Sequence, residues 1–331
     1  MSNIDNLIAD RMSLIKPSPT MAVSKLAAEL KAAGKDVIGL GAGEPDFDTP
    51  DHIKLAAIEA IKNGQTKYTA VDGTPKLKKA VSDKFQRDNN IKYNLDEIIV
   101  SVGGKQVLFN ALLSSINPGD EVIIPSPYWV SYPDMVALAG GIPVIVNGTA
   151  ENNFKIIAED IKNKITTKTK WVIINSPSNP TGSSYTKEEL KSIGELLLSY
   201  ENIFIMSDDI YEKIIYDNNK FYTIAEVVPE LKNRTLTVNG VSKAYAMTGW
   251  RIGYAGGPKE LIKAMAKLQS QSTSNPSSIS QAAALAALEG PEDFLKERNT
   301  KFKKRRNMVV EMLNNCEGIT CLKPTGAFYV Y

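Results

Sequence analysis

Short apolar runs alternate with helical patterns along most of this chain, and this alternation limits the fold more than any other feature. Seven such runs occur: "EIIVSV", "EVIIPS", "IPVIV", "WVIINS", "IFIMSD", "TLTVNG" and "RIGYAG". Continuous apolar runs of this length are typical of strands that are buried on both faces. Strands that alternate with helices favour a mainly parallel sheet wrapped by helices. We therefore expect an α/β fold with a three-layer α/β/α domain.

Two of the helical patterns carry signals for their ends. "TPDHIKLAAIEAIKNG" predicts a helix with Thr49 as N-cap, Pro50 at its first position and Gly64 as its stop. "TKEELKSIGELLLSY" opens with Thr186 and Glu189 at the spacing of a capping box.

The length of 331 residues allows two domains. We assign residues 46–288 to a large domain. The segments 1–45 and 289–331 each contain a helical pattern, and "GITCLKPTGAFYVY" near the end has the composition of a strand. We expect these two chain ends to form a smaller α+β domain.

Charge, histidine and cysteine content exclude several classes of function. A net charge of +2 gives no indication of nucleic acid or a membrane surface as a partner. His52 is the only histidine and is expected to be exposed, which disfavours a Ser-His-Asp hydrolase and excludes zinc sites built on several histidines. We expect no metal site. The basic run "KFKKRR" is interpreted as a solvated helix face.

Nothing in the sequence indicates secretion or membrane insertion. The N-terminal stretch has acidic residues and no long apolar core, so it does not resemble a secretory signal, and no apolar stretch reaches membrane-spanning length. Cys316 and Cys321 are interpreted as reduced structural residues. We therefore predict a cytoplasmic protein.

Polar residues follow the predicted strands, at the edge where parallel sheets bind their ligands. They come after five different strands and are expected to converge on one crevice. The set comprises Gly103, Gly104, Lys105, Tyr128, Trp129, Asn175, Asn179, Asp208, Asp209, Tyr211, Ser242 and Lys243.

The chemistry of this set indicates one cofactor. A glycine pair that opens a helix offers free N–H groups to a phosphate, and Ser242 and Arg251 add a hydroxyl and a cation. Asp208 ends a buried strand and needs a cationic partner, while Trp129 offers a ring for stacking. Lys243, if neutral, attacks a carbonyl. Phosphate, ring, ring cation and aldehyde together describe pyridoxal 5′-phosphate.

Rival nucleotide motifs fail on spacing. "GLGAGE" has a glutamate where a dinucleotide fingerprint needs its last glycine, and "GGK" lacks the earlier glycine and the hydroxyl residue of a P-loop. "SDDIYE" has alternating acids, but no further acidic cluster supports a cation site.

The chain resembles fold-type I pyridoxal-phosphate aminotransferases of class I, in particular the bacterial aspartate or aspartate/prephenate branch. The likeness covers nearly the whole chain in order and rests on "KPSPTMAV", "AGEPDFDTP", "TKYTAVDG", "SVGGKQ", "SPYWVSYP", "NSPSNPTG", "SDDIYE", "SKAYAMTGWRIGY" and "PTGAFYV".

The resemblance implies a role for each site residue. Lys243 corresponds to the lysine that binds the cofactor as a Schiff base, and Asp208 to the carboxylate that keeps the pyridine nitrogen protonated. Tyr211 and Asn179 correspond to donors to the ring's phenolic oxygen. The phosphate cup corresponds to Gly104, Lys105, Ser242 and Arg251. Further implied contacts are a tyrosine reaching the phosphate from the other subunit (Tyr68), an aromatic stacked on the ring and near the substrate (Trp129), and a backbone contact to substrate (Gly43).

The implied reaction is a ping-pong transfer of an amino group between an amino acid and a 2-oxo acid, in a homodimer with shared active sites. Thr20 and Lys105 match positions that meet the distal carboxylate of acidic substrates, so aspartate or prephenate is the expected class. Asn179 is also expected to contact substrate.

The resemblance also leaves alternatives. Relatives continue past "GAFYV" into a stretch carrying the arginine that clamps the substrate's α-carboxylate, so we expect the small domain to lack its C-terminal part. One alternative is therefore a cofactor-binding protein with low or no activity, and another is a pyridoxal-phosphate lyase of the same fold.

Overall fold

A seven-stranded sheet forms the centre of the computed structural model, which describes residues 7–331. The strands are β1 (Ile98–Ser101), β2 (Glu121–Ser126), β3 (Ile142–Asn147), β4 (Thr169–Asn175), β5 (Phe204–Asp208), β6 (Thr235–Gly240) and β7 (Gly253–Gly256). They lie in the order β1-β7-β6-β5-β4-β2-β3. Every one of the seven apolar runs thus forms a strand, and the α/β prediction is confirmed.

Helices fill the connections between these strands and extend to both sides of the sheet. The α-helices are α1 (Pro19–Ala32), α2 (Asp51–Lys62), α3 (Pro75–Asn89), α4 (Gly104–Ser115), α5 (Ser131–Leu138), α6 (Ala158–Lys162), α7 (Lys187–Leu198), α8 (Ile224–Val227), α9 (Lys259–Ser270), α10 (Ser278–Glu289) and α11 (Asp293–Asn314). Short 3-10 helices cover Asp10–Leu14, Leu95–Glu97, Ala150–Asn152, Pro229–Arg234 and Thr248–Trp250.

One strand runs against the others, and this places the candidate site. β2, β3, β4, β5 and β6 pair in parallel, whereas β7 is antiparallel to both β1 and β6. The residues that follow β6 and those that precede β7 therefore lie at the same edge of the sheet. Lys243 and Arg251 both belong to this connection, so the reversal of β7 brings them to one edge.

The core has the layers expected for a sheet with helices on both faces. Adjacent residues of β1 point to opposite layers. Val100 packs in one buried cluster with residues of α2, α3 and α10. Ile99 packs in another cluster with residues of α4, α5 and α9. A third cluster joins strands β2, β4 and β5 to α7 and α8.

The helix-end predictions hold for the capping box and for Gly64 but fail at the start of α2, where Pro50 is the N-cap and Asp51 the first helical residue. Thr186 and Glu189 form the capping box, with 3.2 Å from Glu189 N to Thr186 Oγ1 and 2.8 Å from Thr186 N to Glu189 Oε2. Gly64 ends α2 in the left-handed region at φ +69°. Thr49 does not cap α2, because its hydroxyl donates to the carbonyl of Ala246 at 2.7 Å and accepts from Trp250. The hydroxyl of Thr49 thus bonds to residues distant in sequence and not to the first N–H groups of α2.

Three further expectations need correction. No strand forms in residues 318–331 except an isolated bridge between Ile215 and Gly326, since this backbone bonds to the loops at Gly182 and at Ile214 and Tyr216. Arg306 of the basic run is buried, where it forms an ion pair with Asp217. His52 is half-buried, with Nε2 enclosed near Gly290.

No helix within residues 7–331 combines the length and the apolar composition that crossing a bilayer requires.

A buried ion pair supports the turn that follows β5. Lys84 of α3 is fully buried and pairs with Glu212, and both side chains also bond Asn89, at 2.7 Å and 3.0 Å. The turn itself is closed by hydrogen bonds from Glu212 N to Asp209 O and from Ile214 N to Tyr211 O. The position of Tyr211 thus depends on a charge pair that water does not reach.

Replacement of Glu212 by Gln should lower the free energy of unfolding by about 3 kcal/mol, because the ammonium of Lys84 would stay buried without its countercharge. Urea denaturation measures the loss. Glu195→Gln, in an exposed pair with Lys191, serves as the control and should leave stability almost unchanged. Equal effects of the two substitutions would contradict a supporting role for the buried pair.

Candidate active site

The carboxyl ends of β4, β5 and β6 bring the first candidate residues together. Asn175 ends β4 and is the register partner of Asp208, which ends β5 and in turn pairs with Val238 of β6. The side-chain amide of Asn175 donates to the carbonyl of Asp208 at 2.8 Å. Lys243 follows three residues after β6. The predicted convergence of these strand ends is therefore present.

Asp208 is a buried carboxylate with few donors. It is 5% exposed, and its Oδ2 accepts a hydrogen bond from the hydroxyl of Tyr132 at 2.6 Å. Its Oδ1 has only a long contact of 3.4 Å with the N–H of Ile210. Burial raises the pKa of Asp208, and the bond from Tyr132 opposes this rise. None of the described arginines or lysines forms an ion pair with it, so the carboxylate can accept a further cationic donor.

Lys243 reaches into the same crevice. Its Nζ donates to the carbonyl of Gly43 at 2.5 Å and lies 5.8 Å from the centre of the Tyr211 ring. Burial lowers the pKa of Lys243 to about 8, although the negative charges of Asp208 and Glu44 act in the opposite direction. A lysine with this pKa is partly neutral near physiological pH, which is the form that attacks carbonyl groups.

Three side chains form a polar group beside Lys243. The hydroxyl oxygens of Tyr211 and Tyr329 are 2.6 Å apart, and the amide of Asn179 donates to Tyr329 at 3.4 Å. Burial raises the pKa of Tyr211 well above its ordinary value and that of Tyr329 to about 12. Both hydroxyls therefore keep their protons and remain hydrogen-bond donors at neutral pH.

A glycine loop and an arginine form the other end of the site. Helix α4 begins at Gly104, and the first N–H groups of a helix have no partners inside it. Gly103 has φ +86°, and a Cβ there would lie 2.3 Å from Nη2 of Arg251. A Cβ at Gly253 would lie 2.2 Å from the backbone nitrogen of Gly104. Only glycines allow the loop, β7 and the guanidinium to approach this closely, and together they form a cradle for an anion.

Aromatic residues connect the two ends of the site. Lys105 Nζ lies 4.7 Å from the centre of the Trp129 ring, which meets the ring of Tyr132 edge-on at 5.4 Å. Tyr132 in turn bonds Asp208. Desolvation by the surrounding protein and the charge of Arg251 lower the pKa of Lys105. Lys105 and Arg251 both line a pocket of about 450 Å³, so two cations face one open space.

The structure brings together nine of the twelve residues to which the resemblance gives a role. They are Gly43, Gly104, Lys105, Trp129, Asn179, Asp208, Tyr211, Lys243 and Arg251. Ser242 is buried and directly precedes Lys243. Tyr68 and Thr20 are not among them. Tyr68 is 92% exposed, and Thr20 is exposed on the first turn of α1. The contact predicted for Tyr68 involves a second subunit and stays a prediction, as does the role of Thr20.

Sequence reasoning missed Tyr132 and Tyr329. Tyr132 lies at the start of α5, three residues after Trp129. This spacing could have predicted that Tyr132 lies beside Trp129 and therefore near the site. Tyr329 lies in the C-terminal segment, and no local pattern links it to Tyr211. No group of His, Cys, Asp and Glu in the described chain is arranged to hold a metal ion, and the free cysteines are an exposed Cys316 and a buried Cys321.

Comparison with known proteins gives one consistent result. Residues 35–331 match the family described as aminotransferase class I and II. A probable aspartate/prephenate aminotransferase of Rickettsia conorii is 61% identical over 326 residues, which are 98% of this chain and 81% of the relative. The aspartate/prephenate aminotransferase of Cereibacter sphaeroides is 59% identical over 98% of this chain and 81% of its own length.

Solved structures agree with this result. The aspartate aminotransferase of Rhizobium meliloti superposes with a TM-score of 0.95 at 57% identity, over 98% of this chain and 81% of that chain. The aspartate aminotransferase of Thermus thermophilus with maleate gives a TM-score of 0.94 at 45% identity, over 98% and 84%.

Replacement of Gly43 by Ala tests the packing of the site. A Cβ there would lie 2.6 Å from the hydroxyl oxygen of Tyr329 but 3.5 Å from its ring carbon Cζ. Gly43→Ala should lower the free energy of unfolding by about 1–3 kcal/mol. In a Tyr329→Phe background the loss should be smaller, because the clashing oxygen is gone. A double-mutant cycle in urea measures the difference, and equal losses in both backgrounds would contradict this contact.

The pKa of Lys243 predicts a pH profile for its reactivity. Acylation of Lys243 by an amine-selective anhydride, measured by mass spectrometry on cofactor-free protein, should rise about tenfold per pH unit up to about 8 and then level off. Below that pH the folded protein holds the amine protonated and unreactive. For the half-exposed Lys54, whose pKa is raised by its hydrogen bond with Asp51, the acylation rate should continue to rise above that pH. A plateau at the same pH for both lysines would contradict the effect of burial.

Proposed function

This chain belongs to the class I and II aminotransferases and transfers an amino group between an amino acid and a 2-oxo acid, and we propose that pyridoxal 5′-phosphate is its cofactor. The observation that carries the proposal is the convergence of a partly neutral lysine, Lys243, and a buried carboxylate, Asp208, on one crevice. Such a pair suits a phosphorylated pyridine aldehyde, which needs an amine at one position and an acid at another.

The donor set at the site fits this cofactor from end to end. Asp208 has an oxygen left for the protonated ring nitrogen, and Tyr132 holds the carboxylate in place. The cradle of Gly103, Gly104 and Arg251 suits the phosphate, and the buried Ser242 is proposed to add a hydroxyl. Trp129 offers a partly exposed ring for stacking. Tyr211 and Asn179 supply donors for the phenolic oxygen.

When bound, the cofactor supplies an electron sink that makes the α-proton of an amino acid acidic. Asp208 maintains the positive charge of the ring on which this depends, because a buried carboxylate strongly favours a cationic neighbour. Lys243 would have two roles: its Nζ would hold the aldehyde of the cofactor, and the free amine would take the α-proton of the amino acid and return it at the aldehyde carbon. Burial keeps the pKa of this amine near the pH at which it both accepts and releases protons efficiently.

We propose an acidic substrate, with aspartate or prephenate as the class. Two relatives carry the name aspartate/prephenate aminotransferase, and the solved structures named above are aspartate aminotransferases. In this chain, Lys105 is a cation beside Trp129 that can be shared between the phosphate and a distal carboxylate of the substrate. Gly43, Asn179, Trp129 and Thr20 are proposed to complete the substrate contacts.

We also propose a homodimer in which Tyr68 reaches the phosphate of the other subunit. The exposure of Tyr68 and of apolar residues on α2, among them Leu55, Ile58 and Ile61, supports a face that a second copy covers. The large domain is proposed to comprise residues 46–288, with 1–45 and 289–331 contributing to a smaller one. The cytoplasmic location stays a prediction.

A half-reaction tests the function. Addition of aspartate to the holoprotein should convert the absorbance of the bound aldehyde form into that of the amine form, and a 2-oxo acid should restore it. Lys243→Ala should lose this conversion by a factor of at least about 10³, because no other described amine lies beside Asp208.

Two outcomes would contradict an active transaminase. Borohydride reduction should fix the cofactor on Lys243. If this adduct forms but aspartate does not convert the unreduced holoprotein, the chain is a cofactor-binding protein of low or no activity. Turnover that needs no 2-oxo acid would indicate a lyase.

A further inference from the structure

We propose that Tyr329 is a positioning residue that acts through Tyr211 on the phenolic oxygen of the bound cofactor. This inference rests on the proposed function and adds a residue from the C-terminal segment to the cofactor site. Tyr329 would not touch the cofactor. It would fix the hydroxyl of Tyr211 and strengthen it as a donor.

The contacts of Tyr329 place it behind two proposed cofactor residues. Its hydroxyl oxygen is 2.6 Å from that of Tyr211, and it accepts a hydrogen bond from the amide of Asn179 at 3.4 Å. The rings of Tyr211 and Tyr329 meet at 5.6 Å with an interplanar angle of 84°. The same hydroxyl lies directly against Gly43, whose carbonyl accepts from Lys243. One phenol thus contacts both proposed donors and the glycine whose carbonyl binds Lys243.

A set of hydrogen bonds fixes the backbone just before Tyr329 to two loops, at Gly182 and at Ile214 and Tyr216. The N–H groups of Thr325 and Gly326 donate to the carbonyl of Gly182 at 3.0 Å and 2.8 Å. The N–H of Ala327 donates to Ile214 O at 2.9 Å, and its carbonyl accepts from the hydroxyl of Tyr216. These bonds hold the segment against the two loops that carry Asn179 and Tyr211. Tyr329 is therefore held in place independently of its own hydroxyl.

Proton counting fixes the direction of the bond between the two tyrosines. A hydroxyl has one hydrogen and two lone pairs. If Tyr211 gives its hydrogen to the phenolic oxygen, the 2.6 Å contact needs the hydrogen of Tyr329. Tyr329 then donates to Tyr211 while it accepts from Asn179, which forms a directed chain. Consecutive hydrogen bonds polarise one another, so Tyr211 becomes a stronger donor to an anionic oxygen.

Tyr329→Phe in the holoprotein tests the inference through the absorbance of the bound cofactor rather than its turnover. A donor that stabilises the anionic oxygen lowers the pH at which the bound cofactor loses its proton. Loss of the Tyr329 hydroxyl should therefore raise the midpoint of the absorbance–pH titration by about 0.3 to 1 pH unit. Tyr211→Phe should raise it further, since it removes the direct donor.

Two further tyrosines provide controls. Tyr331→Phe changes an exposed tyrosine that packs on Phe154 and should leave the midpoint unchanged. Tyr216→Phe removes a bond to the backbone of the same segment, so it should lower the melting temperature without moving the midpoint. A midpoint shift in Tyr216→Phe as large as that in Tyr329→Phe would overturn the inference, because displacement of the segment would then explain both.

The remaining outcomes separate the inference from the proposed function. A shift in Tyr211→Phe with none in Tyr329→Phe would overturn only the role of Tyr329. Absence of a shift in both would overturn the proposed contact of Tyr211 with the cofactor as well. A midpoint shift in both variants, with no midpoint shift in Tyr331→Phe or Tyr216→Phe, would support the hydrogen-bond chain from Tyr329 through Tyr211.

Discussion

The burial of one carboxylate, Asp208, organises the rest of the site. A carboxylate removed from water is stable only with donors or a countercharge nearby, and among residues 7–331 a single short hydrogen bond reaches it, from Tyr132. Because Asp208 has few donors, the end of β5 is a place where a cationic group is favoured. The same low-polarity surroundings lower the pKa of Lys243, so one physical cause prepares both the acid and the amine.

The topology of the sheet converts these local properties into one site. Parallel strands place the ends of β4 and β5 side by side, and the antiparallel β7 returns the connection after β6 to the same edge. Lys243 and Arg251 are only eight residues apart in sequence but lie at different ends of the crevice, Lys243 beside Tyr211 and Arg251 beside Gly103. Behind the turn that carries Tyr211, the buried pair of Lys84 and Glu212 resists displacement. The site is thus supported by elements that never touch a ligand.

Much of the fold could be predicted because its signals are local. All seven strands appear as apolar runs, and the capping box at Thr186 forms as its spacing indicates. The failures share a cause. Thr49 caps no helix because its hydroxyl bonds to Ala246 and Trp250, which lie 197 and 201 residues away. The C-terminal segment forms no strand because its backbone finds partners in loops.

By itself the sequence determined the α/β fold, the order of the strands along the chain and the residue types that cluster at the strand ends, since hydrophobic period and motif spacing depend on neighbours in sequence. The tertiary structure alone decided which polar groups far apart in sequence touch. The bond of Tyr132 to Asp208, the contact of Tyr329 with Tyr211 and the packing of Arg251 on Gly103 join residues 76, 118 and 148 positions apart. Contacts at that separation arise from the packing of whole elements, which leaves no local pattern in the chain.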